Sequence, residues 1–232
     1  MTNGLIETFG KLTTPHLADG CLRSGVPIRF APAAVHPLDP IMACWGRARP
    51  VRHVGSIDVF FEVLESVRPG EVLVIDNGGR ADEACIGDIV LLEAKAAGIS
   101  GIVIWGLHRD DRELREIGFP VFSMGALPTG PQRLRPPDIF DRASVGPHAI
   151  TPNDIVVADS NGVLFLPEAG LEQIVDAAIV YRATEARQLS AMREGKTYRD
   201  LVRFPEYLAR RRKEPTYGFR QHLKDIEAAG EV

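Results

Sequence analysis

Residues 72–125 read VLVIDNGGRADEACIGDIVLLEAKAAGISGIVIWGLHRDDRELREIGFPVFSMG, and this stretch decides the fold. Three short apolar runs, 72–75, 102–105 and 121–124, carry the β-branched or aromatic residues of strands and are bounded by Gly, Pro, Asp or Asn. Between the first two, IVLLEAKAAG suits a helix with Gly98 as its stop. Between the second and third, DRELREIG forms a shorter charged helix that also ends at a glycine, Gly118. Alternation of strand and helix implies parallel pairing with right-handed crossovers. Such sheets bind ligands beyond the carboxyl ends of their strands. The polar segments DNGGRADEACIGD and GLHRDD both leave strands at that edge.

The remaining chain frames this centre. Residues 6–12 and then TTPHLADGCLRSG read as two short helices, with Thr14 capping the second and Pro15 at its first position. His16 and Asp19 could share a face there, although a capped, half-exposed helix accounts for both. Prolines exclude helix from residue 30 onward, giving an irregular approach and a strand around 42–54, interrupted near Gly46 and Pro50. Ser56 caps IDVFFEVLESV, whose Ile57, Val59, Phe60, Val63 and Leu64 define a buried face, and Pro69-Gly70 closes it. ALPTGPQRLRPPD, residues 126–138, is an extended loop, and 139–144 with Ala149 add irregular strand. NDIVVADSNGVLFLP is a hairpin turning at Asn161-Gly162. A long amphipathic helix over 168–195, a helical segment over 198–213 and a polar tail with a short helical core complete the chain. The cluster Arg210-Arg211-Arg212-Lys213 is a solvated helix end or a grip on a neighbouring subunit.

Composition bounds the function. A chain of 232 residues that is 45% hydrophobic can build a real core. A formal charge of -4 argues against nucleic acid as the main partner. No apolar run approaches a membrane span, and MTNGLIETFGK lacks a signal pattern, so a soluble cytoplasmic protein is expected, with no membrane partner. Cys21, Cys44 and Cys85 are far apart and read as buried thiols in a reducing compartment. The expected organisation is one α/β domain over 1–203, followed by a helical, polar extension over 204–232 that could contact another subunit.

Two constellations could carry chemistry. Asp76-Asn77-Gly78-Gly79-Arg80 offers glycine amides, and Gly87-Asp88 opens the next helix, where unpaired N–H groups favour an anion. Taken alone, this is a glycine turn and an aspartate cap. Arg109 supplies a planar fork for a carboxylate, and Asp110 supplies hard oxygens for Mg²⁺ or Mn²⁺. A surface ion pair with Arg112, Glu113 or Arg115 explains that pair equally well. The combination is sharper. A helix start and the neighbouring strand's carboxyl end lie on one edge of a parallel sheet, so Asp88, Arg109 and Asp110 can converge with the amides of Ile89 and Val90. Such a site would hold a divalent metal and a small 2-oxo acid.

Asp88, twenty residues, then Arg109-Asp110 is the D-x20-R-D pattern, and with PGEVLVID, the glycine pair, AKAAGISGIVIWG, FPVFSMG and the late hairpin it resembles the RraA-like family. That family includes class II 4-hydroxy-4-methyl-2-oxoglutarate/4-carboxy-4-hydroxy-2-oxoadipate aldolases. The resemblance implies a swivelling β/β/α domain with a central parallel βαβαβ unit, a late hairpin and helical extensions at both ends. It also implies a homotrimer, or a hexamer built from trimers, with sites near subunit boundaries. Asp110 would ligate the metal directly and Asp88 would hold metal-bound water, the economical candidate for the base. Arg109 and the amides of Gly87, Asp88, Ile89 and Val90 would hold the pyruvyl carboxylate. The implied reaction is metal-dependent retro-aldol cleavage releasing pyruvate, with oxaloacetate decarboxylation beside it. The alternatives are an RraA-type regulator that binds a ribonuclease, and a 2-oxo-acid enzyme of another reaction type. Two departures stand out. Trp105 occupies a position where the family often has Asp, and His108 beside Arg109 is expected to be a solvent-facing loop residue.

Overall fold

The computed structural model describes residues 8, 11–132, 142–226 and 228. Residues 6, 7, 9 and 10 of the expected first helix, 133–138 of the long loop and 139–141 of the expected irregular strand lie outside the described residues. The described chain divides into two compact units, one over Ile28–Leu171 and one over residues 11–27 with those from Glu172 onward.

The first unit is a mixed α/β fold. Its strands are β1 (Arg29–Phe30), β2 (His36–Pro37), β3 (Cys44–Arg52), β4 (Val72–Asp76), β5 (Ala84–Ile86), β6 (Gly101–Trp105), β7 (Leu107–His108), β8 (Val121–Ser123), β9 (Ala143–Val145), β10 (His148–Ile150), β11 (Asp154–Asp159) and β12 (Gly162–Pro167). Among the described residues an 8-stranded sheet runs β1-β12-β11-β3-β4-β6-β8-β2. Its centre, β3-β4-β6-β8, is parallel, with Val74 opposite Val103 and Val103 opposite Phe122. The crossovers from β4 to β6 and from β6 to β8 are helices α3 (Asp88–Ala96) and α4 (Asp111–Ile117), both stopping at the expected glycines. Gly98 (φ 85°) and Gly118 (φ 65°) take the left-handed conformation that glycine tolerates without cost. The hairpin β11–β12 forms as expected, but its turn is Ser160-Asn161, one residue earlier than Asn161-Gly162, because Asp159 pairs with Gly162, which begins β12. Val72–Ile75 and Ile102–Ile104 are fully buried, which is why these strands are continuous apolar runs rather than alternating ones.

The first unit departs from expectation at two elements. β3 runs unbroken through Gly46 and Pro50 because it changes partner: it pairs antiparallel with β11 over Cys44–Arg47 and parallel with β4 from Ala48 onward. At Pro50 the β11 ladder has ended, so the missing N–H is tolerated on that edge. Helix α2 (Asp58–Leu64) has Ile57, not Ser56, at its cap position and stops before Glu65. Its C-terminal end tightens into turns because the Ser66 hydroxyl competes for the Val63 carbonyl (3.2 Å).

The second unit is helical. α1 (Thr14–Arg23) is entered through Thr13 rather than Thr14, with the Thr13 N–H donating to His16 Nδ1 (3.1 Å). A Cβ at Gly20 would fall 2.4 Å from the Ile174 carbonyl oxygen of α5 (Leu171–Arg193), so only glycine permits that approach. The expected helix over 198–213 is two, α6 (Tyr198–Leu201) and α7 (Phe204–Lys213). Pro205 has no N–H to return to Leu201, so the helix must restart, and Arg203 takes a left-handed φ of 47°. α8 (Phe219–Asp225) follows, with His222 buried among Tyr207, Tyr217 and Phe219.

Candidate active site

Asp88 and Arg109 are brought together by a small sheet that local pattern does not reveal. β5 lies directly before α3, and β7 directly before Arg109. These two strands pair in parallel, with Ile86 opposite His108. The Arg109 N–H then donates to the Ile86 carbonyl (2.9 Å), fastening one corner to the other. Gly87 follows β5 with an extended backbone, and Asp88 opens α3 half-buried.

Asp110 is the focus of the corner. Its Oδ2 lies 3.4 Å from the Asp88 N–H and 3.3 Å from Arg109 Nε. A Cβ at position 87 would fall 2.1 Å from that same oxygen and 3.1 Å from Arg109 Nε. Gly87 is therefore the gap into which the carboxylate and the guanidinium fit. Asp110 has a φ of 59°, a left-handed conformation costing a non-glycine residue roughly 1 kcal/mol, with aspartate among the more tolerant. Its backbone carbonyl accepts the first helical bond of α4, from Leu114 (2.9 Å). The side chains of Arg109 and Asp110 are 44% and 33% exposed, so both remain open to a ligand.

A small, open cleft lies beside them, lined by Gly87, Asp88, Ile89, Val90 and Arg109, with Ile57 and Pro131 as further walls. Arg109 Nη1 would meet a Cβ at Gly130 at 2.8 Å, so the loop after β8 closes over the guanidinium. Sequence reasoning placed Ile57 only on a buried helix face and missed Gly130 and Pro131 at the site, for which the proline-rich composition of their loop was the signal. The Ile89 N–H is already taken by Asp88 Oδ1 (2.7 Å). Cys85 also borders the cleft, and burial pushes its thiol well up, which removes it as a nucleophile.

The glycine pair does not face a ligand. The Gly78 N–H donates to Asp76 Oδ1 (2.8 Å) and the Gly79 N–H to the Trp105 carbonyl (3.0 Å). Trp105 packs under that turn, within 2.7 Å of where a Gly79 Cβ would lie. Beneath it Asn77 is buried, its Oδ1 meeting His53 Nδ1 (2.9 Å) and its Nδ2 donating to the Glu83 carbonyl (3.3 Å). His108 corrects the sequence reading outright. It is 1% exposed rather than solvent-facing, with Nδ1 2.7 Å from Ser123 Oγ and Nε2 3.1 Å from Asp111 Oδ1. Burial holds its imidazole below the ordinary pKa, although the Asp111 carboxylate opposes that shift.

Residues 14–165 match the profile of the RraA-like family, described as Aldolase/RraA, which is well over half of the chain. The chain belongs to the RraA-like family. It is 34% identical over 135 residues to the protein DlpA of Legionella pneumophila, a match spanning 58% of this chain but only 22% of DlpA. To the 4-hydroxy-4-methyl-2-oxoglutarate aldolase of Thermus thermophilus it is 31% identical over 129 residues, 53% of this chain and 79% of that one. Among solved structures, Streptomyces coelicolor RraAS2, an unusual member of the RNase ES inhibitor RraA protein family, superposes with a TM-score of 0.72 at 28% identity. That superposition covers 83% of this chain and 98% of RraAS2.

Proposed function

We propose that this protein is a divalent-metal-dependent pyruvate aldolase. It would cleave a 4-hydroxy-2-oxo acid of the 4-hydroxy-4-methyl-2-oxoglutarate or 4-carboxy-4-hydroxy-2-oxoadipate type, with oxaloacetate decarboxylation as a side activity. The observation that carries this reading is the packing of the Asp110 carboxylate and Arg109 guanidinium into the gap left by Gly87, beside Asp88. The match to an aldolase of Thermus thermophilus supports it.

The residues fit a hard cation. Asp110 would ligate Mg²⁺ or Mn²⁺ directly and Asp88 through water, both with carboxylate oxygens. Among the described residues no group of three or more His, Cys, Asp or Glu is arranged to hold a metal. A cation carrying most of its own water, as Mg²⁺ commonly does, needs no such cage. When bound it supplies a Lewis acid for the 2-oxo group. Arg109 holds the substrate carboxylate in its fork at the positive end of α3, where the N–H groups of Asp88 and Ile89 are already bonded to Asp110 and Asp88 and those of Gly87 and Val90 would add to the anion site. Ile57, Ile89 and Pro131 would form the apolar wall of the cleft beside the bond that breaks. We further propose a homo-oligomer, trimer or hexamer, with residues 204–232 as an appended extension.

The test is pyruvate release from both hydroxy-oxo acids and from oxaloacetate, after EDTA treatment and again after Mg²⁺ or Mn²⁺ is restored. Turnover that disappears and returns with the metal supports the aldolase. Silence on all three substrates, with inhibition of a ribonuclease, supports the regulatory reading instead.

A further inference from the structure

Outside the cleft, a connected polar cluster runs Ser123–His108–Asp111–Arg115, and it encloses the corner that carries Arg109 and Asp110. His108 and Asp111 flank those two residues in sequence, and their side chains meet across them, Nε2 to Oδ1 at 3.1 Å. The partners fix the proton positions. Asp111 only accepts, so Nε2 carries the hydrogen and Nδ1 accepts from the Ser123 hydroxyl at 2.7 Å. Ser123 Oγ in turn accepts the Gly125 N–H at 3.2 Å. On the other side Arg115 grips Asp111 with two nitrogens, Nε to Oδ2 at 2.8 Å and Nη2 to Oδ1 at 3.2 Å. Arg115 Nη1 also donates to the Leu38 carbonyl. The backbone of His108 is held as well, its N–H by the Gly125 carbonyl and its carbonyl by the Leu127 N–H. Every ring nitrogen and backbone group of His108 is engaged, and the residue it secures, two positions on, holds a left-handed φ of 59°.

We propose that His108 and Asp111 are positioning residues, a side-chain bridge that holds Arg109 and Asp110 in the geometry that receives the cation and the oxo acid. Neither touches the substrate. The bridge acts by making the left-handed turn at Asp110 the only arrangement that keeps a buried imidazole satisfied. This inference rests on the reading of Asp110 as a metal ligand, and two readouts separate their fates.

Hydrogen exchange over residues 107–112 reads the bridge without metal or substrate, and Mn²⁺ titration followed by electron paramagnetic resonance reads its consequence. His108→Leu and Asp111→Asn should each speed exchange in that segment and weaken Mn²⁺ binding roughly 10–100-fold, the loss typical of residues that orient a metal ligand. His108→Gln places an amide donor where Nε2 lies, and should keep Mn²⁺ affinity within about threefold of the parent. Arg112→Gln, on the exposed outer face of α4, should change neither readout. Unchanged exchange in both bridge variants overturns the inference, whatever the metal does. Equal losses in His108→Leu and His108→Gln also overturn it, since packing alone would then explain the effect. If the parent protein binds no Mn²⁺ but the bridge variants loosen residues 107–112, the bridge stands and the metal assignment falls.

Discussion

Two polar corners share the carboxyl edge of one sheet, and they have opposite characters. After β4, the turn at Asp76–Arg80 consumes its own polar groups: Asp76 takes the N–H groups of Gly78 and Ser144, Asn77 bonds His53 and Glu83, and Arg80 pairs with Asp82 and Glu83. After β6 and β7, Arg109 and Asp110 keep half-exposed ends, and Arg109 lines a cleft. The first corner looks as functional in sequence as the second. What separates a brace from a site is how much hydrogen-bonding capacity remains for a ligand.

Substitutions should respect that division. The largest effect is expected from Asp110→Asn, which keeps the left-handed turn but removes the charge, and should lower metal-dependent pyruvate release on the order of 10³-fold. Full rate at saturating Mg²⁺ in that variant would remove Asp110 from the ligand set. Arg109→Lys should cost about 10²-fold because an ammonium cannot reproduce the bidentate fork. Gly87→Ala should also cost about 10²-fold in turnover, with thermal stability nearly unchanged, because its Cβ displaces the Asp110 carboxylate. An unaffected Gly87→Ala enzyme would break the distinction between the corners.

On the braced side the sign reverses. Gly79→Ala, with a φ of 65° and a Cβ within 2.7 Å of the Trp105 ring, should destabilise by about 2 kcal/mol in a urea titration while activity per folded molecule persists. The smallest effect concerns pH. Burial holds His53 and His108 below the ordinary imidazole value, so the unfolded chain binds protons more readily than the folded one. Stability should be full above about pH 6.5 and decline as pH falls below it. His53→Gln should flatten that slope, because His53 Nε2 has no hydrogen-bond partner among the described residues to receive a new charge.

Much of this was legible in the sequence wherever local chemistry decides structure. Gly98 and Gly118 mark their stops because left-handed backbone is a property of glycine itself. Asp88 at a helix start follows from the same local logic. β5 and β7 were not legible, because strands of three and two residues form only by pairing with each other and with the segment after β8. The burial of His108 follows from that pairing and from Ser123 on β8, neither of which composition announces. Likewise β3 survives Gly46 and Pro50 through a change of partner, a long-range fact.

A crystal grown with Mn²⁺ and pyruvate, and measured for anomalous scattering, reaches the heart of the matter. The expected result is a manganese peak within ligand distance of the Asp110 carboxylate, with the pyruvate carboxylate in the fork of Arg109 beside Gly87. A peak away from Asp110, or pyruvate bound without Arg109, would contradict the assignment.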